Sequence, residues 1–156
     1  MSKEDEGFFE AKARRKKGSQ GKPAEDAAHE ALAKLRATNL NFDFDRLLDS
    51  RAAGRVVAPT VADFTFCYQG RAGALEIKSM KDGHRLAYSD FPQYPRMKRR
   101  AAAGALCLVA VYVQDIRRWH MANVLDLEEI SRGSWDVSVA GWTDCVVFKT
   151  LFEGAV

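Results

Sequence analysis

The chain has 156 residues, of which 47% are hydrophobic and 29% charged, and its net charge is +3. These values are typical of one globular domain and exclude a collagen, a coiled coil and a chain disordered throughout. The longest apolar run, residues 101–113, is shorter than the roughly 20 residues that cross a bilayer, so we expect no membrane partner. The charged N-terminus predicts no signal peptide. The three widely spaced cysteines, which we expect to be buried reduced thiols, indicate a cytoplasmic protein. They are Cys67, Cys107 and Cys145.

Positive charge is concentrated in the middle of the chain. Residues 46–100 carry a net charge of +6, whereas residues 115–156 carry −3. This asymmetry indicates either a polyanionic partner, most often nucleic acid, or a solvated basic surface. Residues 1–22 hold a basic run without apolar periodicity, so we predict a flexible basic N-terminal arm ahead of a single domain, residues 23–156.

The first half of the domain predicts a helix and then an antiparallel hairpin. Apolar residues share one face of a helix over residues 23–37. Residues 39–45 indicate a turn or an extended piece, and residues 45–53 a short helix. A short strand over 55–58 precedes strands at 62–68 and 71–79, which Gln69 and Gly70 join in a turn.

The second half predicts a strand covered on both faces by other elements. Residues 105–113 are apolar on both faces, which is typical of a central strand. A basic helix precedes it, and weaker elements follow. The predicted ranges are a helix at 89–103, a strand at 117–121, a short helix or turn at 124–131, and one or two strands within 137–152. The order predicts an α/β fold with a mixed central sheet flanked by helices.

Two carboxylates and a lysine share one face of the predicted hairpin. A turn at Gln69 and Gly70 sets Asp63 opposite Glu76, and Lys78 leaves the strand on the same side as Glu76. Such charges in an apolar setting require one another or a metal, and carboxylate oxygens suit Mg²⁺. The alternative is an edge hairpin whose charged face is exposed to solvent.

These residues resemble the core of the PD-(D/E)xK nuclease superfamily. The resemblance is carried by Ala62-Asp63, by Tyr68-Gln69-Gly70-Arg71 and by Leu75-Glu76-Ile77-Lys78. More narrowly, the segment is similar to the RecU-type Holliday junction resolvases and their phage relatives, in which a Gln, a helix and an apolar strand follow. The chain departs from that group where Pro92 replaces the His that usually precedes the Gln, here Gln93.

The resemblance implies a restriction-endonuclease-like core and a Mg²⁺-dependent endonuclease, with Mn²⁺ as a substitute. The implied substrate is the four-way DNA junction of recombination and repair. The implied state is a homodimer in a bacterial or phage-infected cell. Another nuclease of the superfamily, of repair, replication or restriction type, remains an alternative. A non-catalytic DNA-binding module on the same fold is a further one.

The resemblance also implies a set of site residues. The catalytic residues would be Glu25, Asp63, Glu76, Lys78 and Gln93. The metal ligands would be Glu25, Asp63, Glu76 and the carbonyl of Ile77. Glu30 competes with Glu25 for its role, and the alternative for both is that they are surface charges of the helix. The alternative for Gln93 is a helix cap.

Cations around the hairpin and on the basic helix are expected to contact DNA phosphates. They are Lys12, Arg14, Arg15, Lys16, Lys17, Arg51, Arg55, Arg71, Lys81, Arg85, Arg96, Arg99 and Arg100. Tyr88, Phe91 and Tyr94 lie between these cations in the sequence and indicate either bases stacked on aromatic rings or a buried core, with the core favoured for Phe91.

Overall fold

A computed structural model describes residues 21–48 and 60–156 of the protein. Three α-helices lie within that part of the chain, together with a 3₁₀ turn at Tyr88–Asp90. The helices are α1 (Lys22–Thr38), α2 (Tyr94–Ala102) and α3 (Phe148–Ala155). The strands are β1 (Phe42–Arg46), β2 (Phe64–Tyr68), β3 (Arg71–Met80), β4 (Arg85–Ala87), β5 (Leu106–Val113), β6 (Arg118–Asn123), β7 (Ser134–Asp136) and β8 (Thr143–Cys145). None of the helices in the described ranges is long and apolar enough to cross a membrane.

A mixed sheet forms the centre of the fold, in the order β1-β2-β3-β5-β6-β8. Strands β3 and β5 are parallel, and the other neighbours are antiparallel. Strands β4 and β7 form a separate antiparallel pair. The predicted α/β fold with a mixed central sheet and flanking helices is therefore confirmed, and β5 is the predicted central strand, buried along almost its whole length.

The β2–β3 hairpin has the predicted turn. Gln69 and Gly70 both have positive φ angles, 49° and 78°, as a two-residue hairpin turn requires. The turn fixes a register in which Phe64 pairs with Leu75. One step beyond that pair, Asp63 faces Glu76, as the sequence predicts.

The two faces of the sheet are covered by different helices. On the α1 face, α1 and α3 pack against the sheet around the phenylalanines of β1 and β2. On the α2 face, Tyr94, Met97 and Ala101 of α2 pack on β5. Because side chains alternate along β3, Leu75 and Ile77 belong to the α1 face, whereas Glu76 lies between them on the α2 face.

Several predicted elements agree with the structure only in part. Of the turn or extended piece expected at 39–45, residues 42–46 form β1, because Phe42 and Phe44 alternate with polar residues and bury their rings on the α1 face. The basic helix, expected to begin at residue 89, begins only at Tyr94 and holds Pro95 in its first turn, where proline is tolerated. Within 137–152, where one or two strands were expected, residues 143–145 form β8, whereas the residues from 148 onward belong to α3. The segment 124–131, expected to be a short helix or a turn, forms a turn at residues 124–126. Most of the predicted helix at 45–53 and the strand at 55–58 lie outside the described residues.

Two of the cysteines differ from the expected burial. All three are free thiols, and Cys107 is buried on the α2 face as expected. Cys67, however, is exposed on β2, and Cys145 is only partly buried on β8. The apolar sequence around Cys67 belongs to alternate residues that point to the other face of the strand.

Candidate active site

A polar cavity of about 500 Å³ lies where the second half of β3 meets the start of α1 and the segment before α2. Every residue expected to be catalytic lines it. These are Glu25, Asp63, Glu76, Lys78 and Gln93. Glu30 does not belong to its wall and instead pairs with Lys34 at 3.4 Å on the exposed side of α1. The fold therefore brings the candidate residues together and separates Glu25 from its competitor.

Asp63 is held by backbone contacts on both of its sides. Its carboxylate Oδ2 accepts a hydrogen bond from the backbone N–H of Ile77 at 2.7 Å. Its own carbonyl accepts one from the N–H of Leu47 at 2.8 Å. These two bonds fix the Asp63 carboxylate beside Glu76, where β2 begins.

Glu76 is a buried acid with one oxygen bound and the other without a partner. Its side chain is 2% exposed, and its Oε1 lies 2.7 Å from Lys78 Nζ. Its Oε2 is buried and has no hydrogen-bond partner. An unpaired buried carboxylate oxygen costs free energy, so this atom indicates a missing donor or cation. The alternative of a solvent-exposed charged hairpin is thus excluded.

Lys78 connects the carboxylates to the segment before α2. Its Nζ donates to Gln93 Oε1 at 3.4 Å and lies 5.8 Å from the centre of the Phe91 ring. Gln93 occupies the position preceding the first turn of α2, yet its side chain caps no backbone group there. The side chain is directed to Lys78 instead, which argues against the helix-cap interpretation.

Glu25 reaches the cavity from the first turn of α1. Its Oε2 accepts from Arg46 Nη2 at 3.0 Å, and the same guanidinium binds Asp26 at 2.8 Å. Arg46 belongs to the edge strand β1, so the ion pairs join α1 to the sheet. Glu25 therefore faces the other carboxylates across the cavity while its own charge is engaged by arginine.

The electrostatics of the carboxylate pair favour a bound cation. Burial, followed by the negative charge of Glu76, raises the pKa of Asp63 to about 7. Burial also raises the pKa of Glu76, against the opposing charge of Lys78. Near neutral pH the two groups together therefore hold fewer than two negative charges, and a cation beside them would favour full ionisation.

The oxygens of Asp63 and Glu76 are suitable ligands for Mg²⁺. The set of three carboxylates that includes Glu25 is not arranged as a metal site. Within residues 21–48 and 60–156, no group of three His, Cys, Asp or Glu side chains is arranged to hold a metal ion. Mg²⁺ commonly binds through one or two carboxylates and completes its shell with water and phosphate oxygens. The partnerless Oε2 of Glu76 beside Asp63 fits that requirement. The roles of Glu25 and of the Ile77 carbonyl as ligands remain predictions.

Sequence reasoning did not single out three polar residues of the cavity wall. They are Thr60, Ser79 and Asp90. Asp90 ends the 3₁₀ turn, three residues before Gln93. This short spacing is the signal in the sequence that could have placed Asp90 near the site. Ser79 follows Lys78 on β3 and points to the opposite face, so strand alternation alone removes it from the carboxylate set.

The cations expected to contact DNA are spread widely. Lys81, Arg85, Arg96, Arg99 and Arg100 are exposed. Arg71 begins β3, roughly 16 Å along the strand from Glu76 at 3.3 Å per residue. Its Nε donates to the carbonyl of Gly104 at 3.4 Å. The remaining predicted contacts, those in residues 12–17 together with Arg51 and Arg55, lie outside the described residues.

The aromatic residues near α2 belong mainly to the core. Phe91 and Tyr94 are 0% and 3% exposed and pack around Trp135. Only Tyr88 is half-buried, with its ring 5.8 Å from that of Trp135. The core interpretation of Phe91 is confirmed, and Tyr94 is buried too deeply to stack on a base.

Comparison with solved structures finds several chains that are similar to this one. No model of a known protein family matches the chain, and no curated protein matches it. Among solved structures, Hjc of Archaeoglobus fulgidus, a Holliday junction resolvase from an archaeal hyperthermophile, is similar with a TM-score of 0.46 and 22% sequence identity. The match covers 70% of this chain and 85% of that one. Similarity at this level leaves the function of this chain to be argued from its own residues.

Proposed function

We propose that the protein is a Mg²⁺-dependent endonuclease that hydrolyses phosphodiester bonds in branched DNA, with the four-way junction as its substrate. The observation that carries the proposal is the carboxylate pair. Glu76 is buried with one oxygen on Lys78 and the other without a partner, and Asp63 lies beside it with a pKa of about 7. A pair so arranged serves little purpose in stabilising the fold and suits the binding of a cation.

Each side chain of the cavity has a role in such a hydrolysis. Asp63 and Glu76 would hold the metal, and Glu25 would complete its surroundings from α1. When bound, Mg²⁺ lowers the pKa of water and stabilises charge on the phosphate. Lys78, between Glu76 and Gln93, can donate a hydrogen bond to the attacking water or to a phosphate oxygen. Gln93 holds the ammonium group of Lys78 in place for this.

The choice of DNA is supported by charge and by the resemblance of the motifs. Residues 46–100 carry a net charge of +6, and within this segment Lys81, Arg85 and the arginines of α2 are exposed. Phosphate contacts of this kind bind without selecting a sequence. The choice of a four-way junction rests on the similarity of the hairpin to RecU-type and phage resolvases. Since a junction presents symmetric strands for cutting, a two-fold homodimer in the cytoplasm, active in recombination and repair, belongs to the proposal.

A non-catalytic DNA-binding module is the second candidate, and one observation favours it. The Glu25 carboxylate is engaged by Arg46, and within the described ranges no three acidic or other ligating side chains converge as a metal cluster. A protein that has lost its nuclease activity but still binds DNA would keep the basic surface and the fold. The intact Asp63, Glu76 and Lys78 set, however, is the part that such a module would not need.

A cleavage panel tests the proposal. Four-way junction, flap, nicked and linear duplex DNA are incubated with the protein and Mg²⁺, with EDTA and with Mn²⁺, and the products are separated on denaturing gels. We expect paired cuts at the junction with either metal and none with EDTA. Cleavage mainly of another substrate would keep the nuclease and overturn the junction specificity. Tight binding without cleavage under every metal condition would establish the binding module instead.

A further inference from the structure

A second cavity, of about 680 Å³, lies on the α1 face of the sheet beside the β5–β6 turn. Its wall includes Ala24 and Ala27 of α1 and the side chains of Tyr112 and Trp119. Those two rings lie 5.0 Å apart between their centres. Ser79 lines both this cavity and the candidate active site, so the two adjoin at the end of β3. We call it the β5–β6 cavity.

Hydrogen-bonding groups stand beside the rings in the β5–β6 cavity. The side-chain Nε2 of Gln114 donates to Ser79 Oγ at 3.0 Å. Among the described residues, this is the one side-chain hydrogen bond that Gln114 makes, so its Oε1 and its second amide hydrogen are open to a ligand. An amide that offers one donor and one acceptor matches the edge of a nucleobase.

A cation stands at the edge of the same cavity. Arg117 is exposed and, within the described part of the chain, forms no ion pair. Its φ angle is 51°, a left-handed conformation that non-glycine residues rarely adopt, and its backbone N–H donates to the carbonyl of Gln114 at 3.3 Å. The turn thus presents an unpaired positive charge beside the aromatic wall.

We propose that the β5–β6 cavity binds an unpaired nucleobase of the DNA substrate, from the nucleotide next to the phosphate that is cut. This inference rests on the proposed nuclease function and extends it to substrate choice. The base would lie against Tyr112 and meet the Gln114 amide, while Arg117 binds its phosphate. The volume lies within the roughly 300–1,000 Å³ of small-ligand pockets, and a base–aromatic contact tolerates any sequence.

The combination of wall and position favours a nucleobase over an apolar protein segment. A purely apolar partner would leave Arg117 and the Gln114 amide unsatisfied, whereas a nucleotide offers a phosphate, a polar edge and an aromatic face together. A base that is stacked and paired in duplex DNA cannot enter the cavity without first leaving the helix. The cavity would therefore favour branched DNA, in which bases at the branch point are more easily unstacked.

The test fills the cavity and observes the base directly. Ala27 is exposed on α1, so Ala27→Trp blocks the cavity without disturbing the core. Ala37→Trp, at the exposed far end of the same helix, is the matched control. Both are made in a Glu76→Gln background, and each protein binds a junction with 2-aminopurine beside the scissile phosphate. We expect the change in 2-aminopurine fluorescence to be lost in Ala27→Trp alone, with affinity for the junction about tenfold weaker and affinity for duplex unchanged.

A second pair of variants tests the cation. Arg117→Ala should weaken junction binding several-fold and reduce the salt dependence of log K by about 1. Arg132→Ala, an exposed arginine outside both cavities, should leave binding as it is. If Arg117→Ala and Ala27→Trp both bind the labelled junction like their controls, the nucleobase proposal is wrong.

The outcomes also separate this proposal from the nuclease function. If the otherwise unaltered chain cleaves branched DNA and Ala27→Trp cleaves it equally well, the nuclease stands and the base site is overturned. If no DNA is cleaved but the fluorescence change depends on Ala27, the base site stands and the nuclease fails. If Ala27→Trp alters only the sedimentation of the DNA-free protein, a second copy of the chain occupies the cavity, and the proposal is overturned.

Discussion

The two faces of the central sheet use one strand in opposite ways. On β3, Leu75 and Ile77 face α1 and are 0% and 5% exposed among phenylalanine rings. Glu76 and Lys78, at the alternate positions, face the α2 side and form an ion pair there at 2.7 Å. Among the described residues, Glu76 and His120 are the buried polar side chains, and both belong to the α2 face.

Within β3, the side chains that stabilise the fold therefore lie on one face and those of the candidate active site lie on the other. Apolar burial on the α1 face contributes about 25 cal/mol for each Å² removed from water. The buried carboxylates on the other face oppose folding, because their desolvation exceeds what one lysine returns. The α1 face therefore stabilises a sheet whose α2 face can hold an unfavourable charge arrangement in position.

The largest expected effect concerns the two carboxylates. If Asp63 and Glu76 hold the metal as proposed, Glu76→Gln and Asp63→Asn should each slow cleavage by at least about 10³-fold, about 4 kcal/mol in the barrier. DNA binding, measured by anisotropy without metal, should persist. The free energy of unfolding should not fall in either variant, because each removes a buried like charge.

Leu75→Ala is the matched change on the α1 face. It should lower the free energy of unfolding by about 2–5 kcal/mol in urea denaturation, since it opens a cavity in a fully buried site. The variant should still cleave DNA while it is folded. Unchanged cleavage in Glu76→Gln, or equal destabilisation by Glu76→Gln and Leu75→Ala, would contradict the division between the two faces.

The next effect is a pH dependence of stability without metal. Asp63 has a pKa of about 7 in the folded protein, against about 3.9 when unfolded. Between these values the folded state binds more protons, so the free energy of unfolding falls as pH rises. The stabilisation is complete below pH ~4 and lost above pH ~7, a difference of about 4 kcal/mol.

Asp63→Asn isolates that contribution from other titrating groups. Urea denaturation of both proteins from pH 4 to 8 should show the variant gaining stability over the parent as pH rises. Adding Mg²⁺ near pH 8 should stabilise the parent more than the variant, because the ion binds the folded state. A constant difference between the two proteins across this range would show that Asp63 ionises normally.

The third expected effect concerns Lys78, whose ammonium group lies among Glu76, Gln93 and the substrate position. Lys78→Ala should lower the single-turnover cleavage rate about a hundredfold and change the dissociation constant for DNA little, because the lysine acts mainly in the transition state. Lys81 is an exposed residue just beyond β3. Lys81→Ala should weaken DNA binding and leave the single-turnover cleavage rate nearly unchanged. An equal loss of binding and rate in Lys78→Ala would make it a phosphate anchor.

Much of the site follows from local sequence rules, since strand alternation and a two-residue turn are enough to place Asp63 opposite Glu76. The register was predictable because Gln69 and Gly70 allow the positive φ angles of a tight hairpin turn. The place of Gln93 in the site came only from the resemblance, because no local rule joins a residue before α2 to β3. The cavity's Asp90 and Ser79 depend on tertiary packing and had no sequence signal strong enough to predict them.

The elements that the sequence left open or misassigned were decided by partners distant in sequence. Phe42 and Phe44 form a strand because β2 pairs with them, whereas the same residues read alone fit a turn or an extended piece. Helix α3 lies where the sequence analysis expected strands. Its Phe148, Leu151 and Phe152 nevertheless follow helical spacing and are buried against the sheet. That spacing could have identified the helix.

The smallest expected effect concerns Glu25, which reaches the carboxylate cavity from the helix that covers the opposite face. Glu25→Gln should raise the Mg²⁺ concentration for half-maximal cleavage several-fold, up to about tenfold, and lower the saturated rate less than Glu76→Gln does. Asp26→Asn is the control, because Asp26 binds the same Arg46 guanidinium at 2.8 Å but does not line the cavity. If both variants shift the metal requirement equally, the effect comes from the loosened Arg46 contact between α1 and β1, and Glu25 is structural. If only Glu25→Gln shifts it, α1 contributes to the metal site as well as to the core.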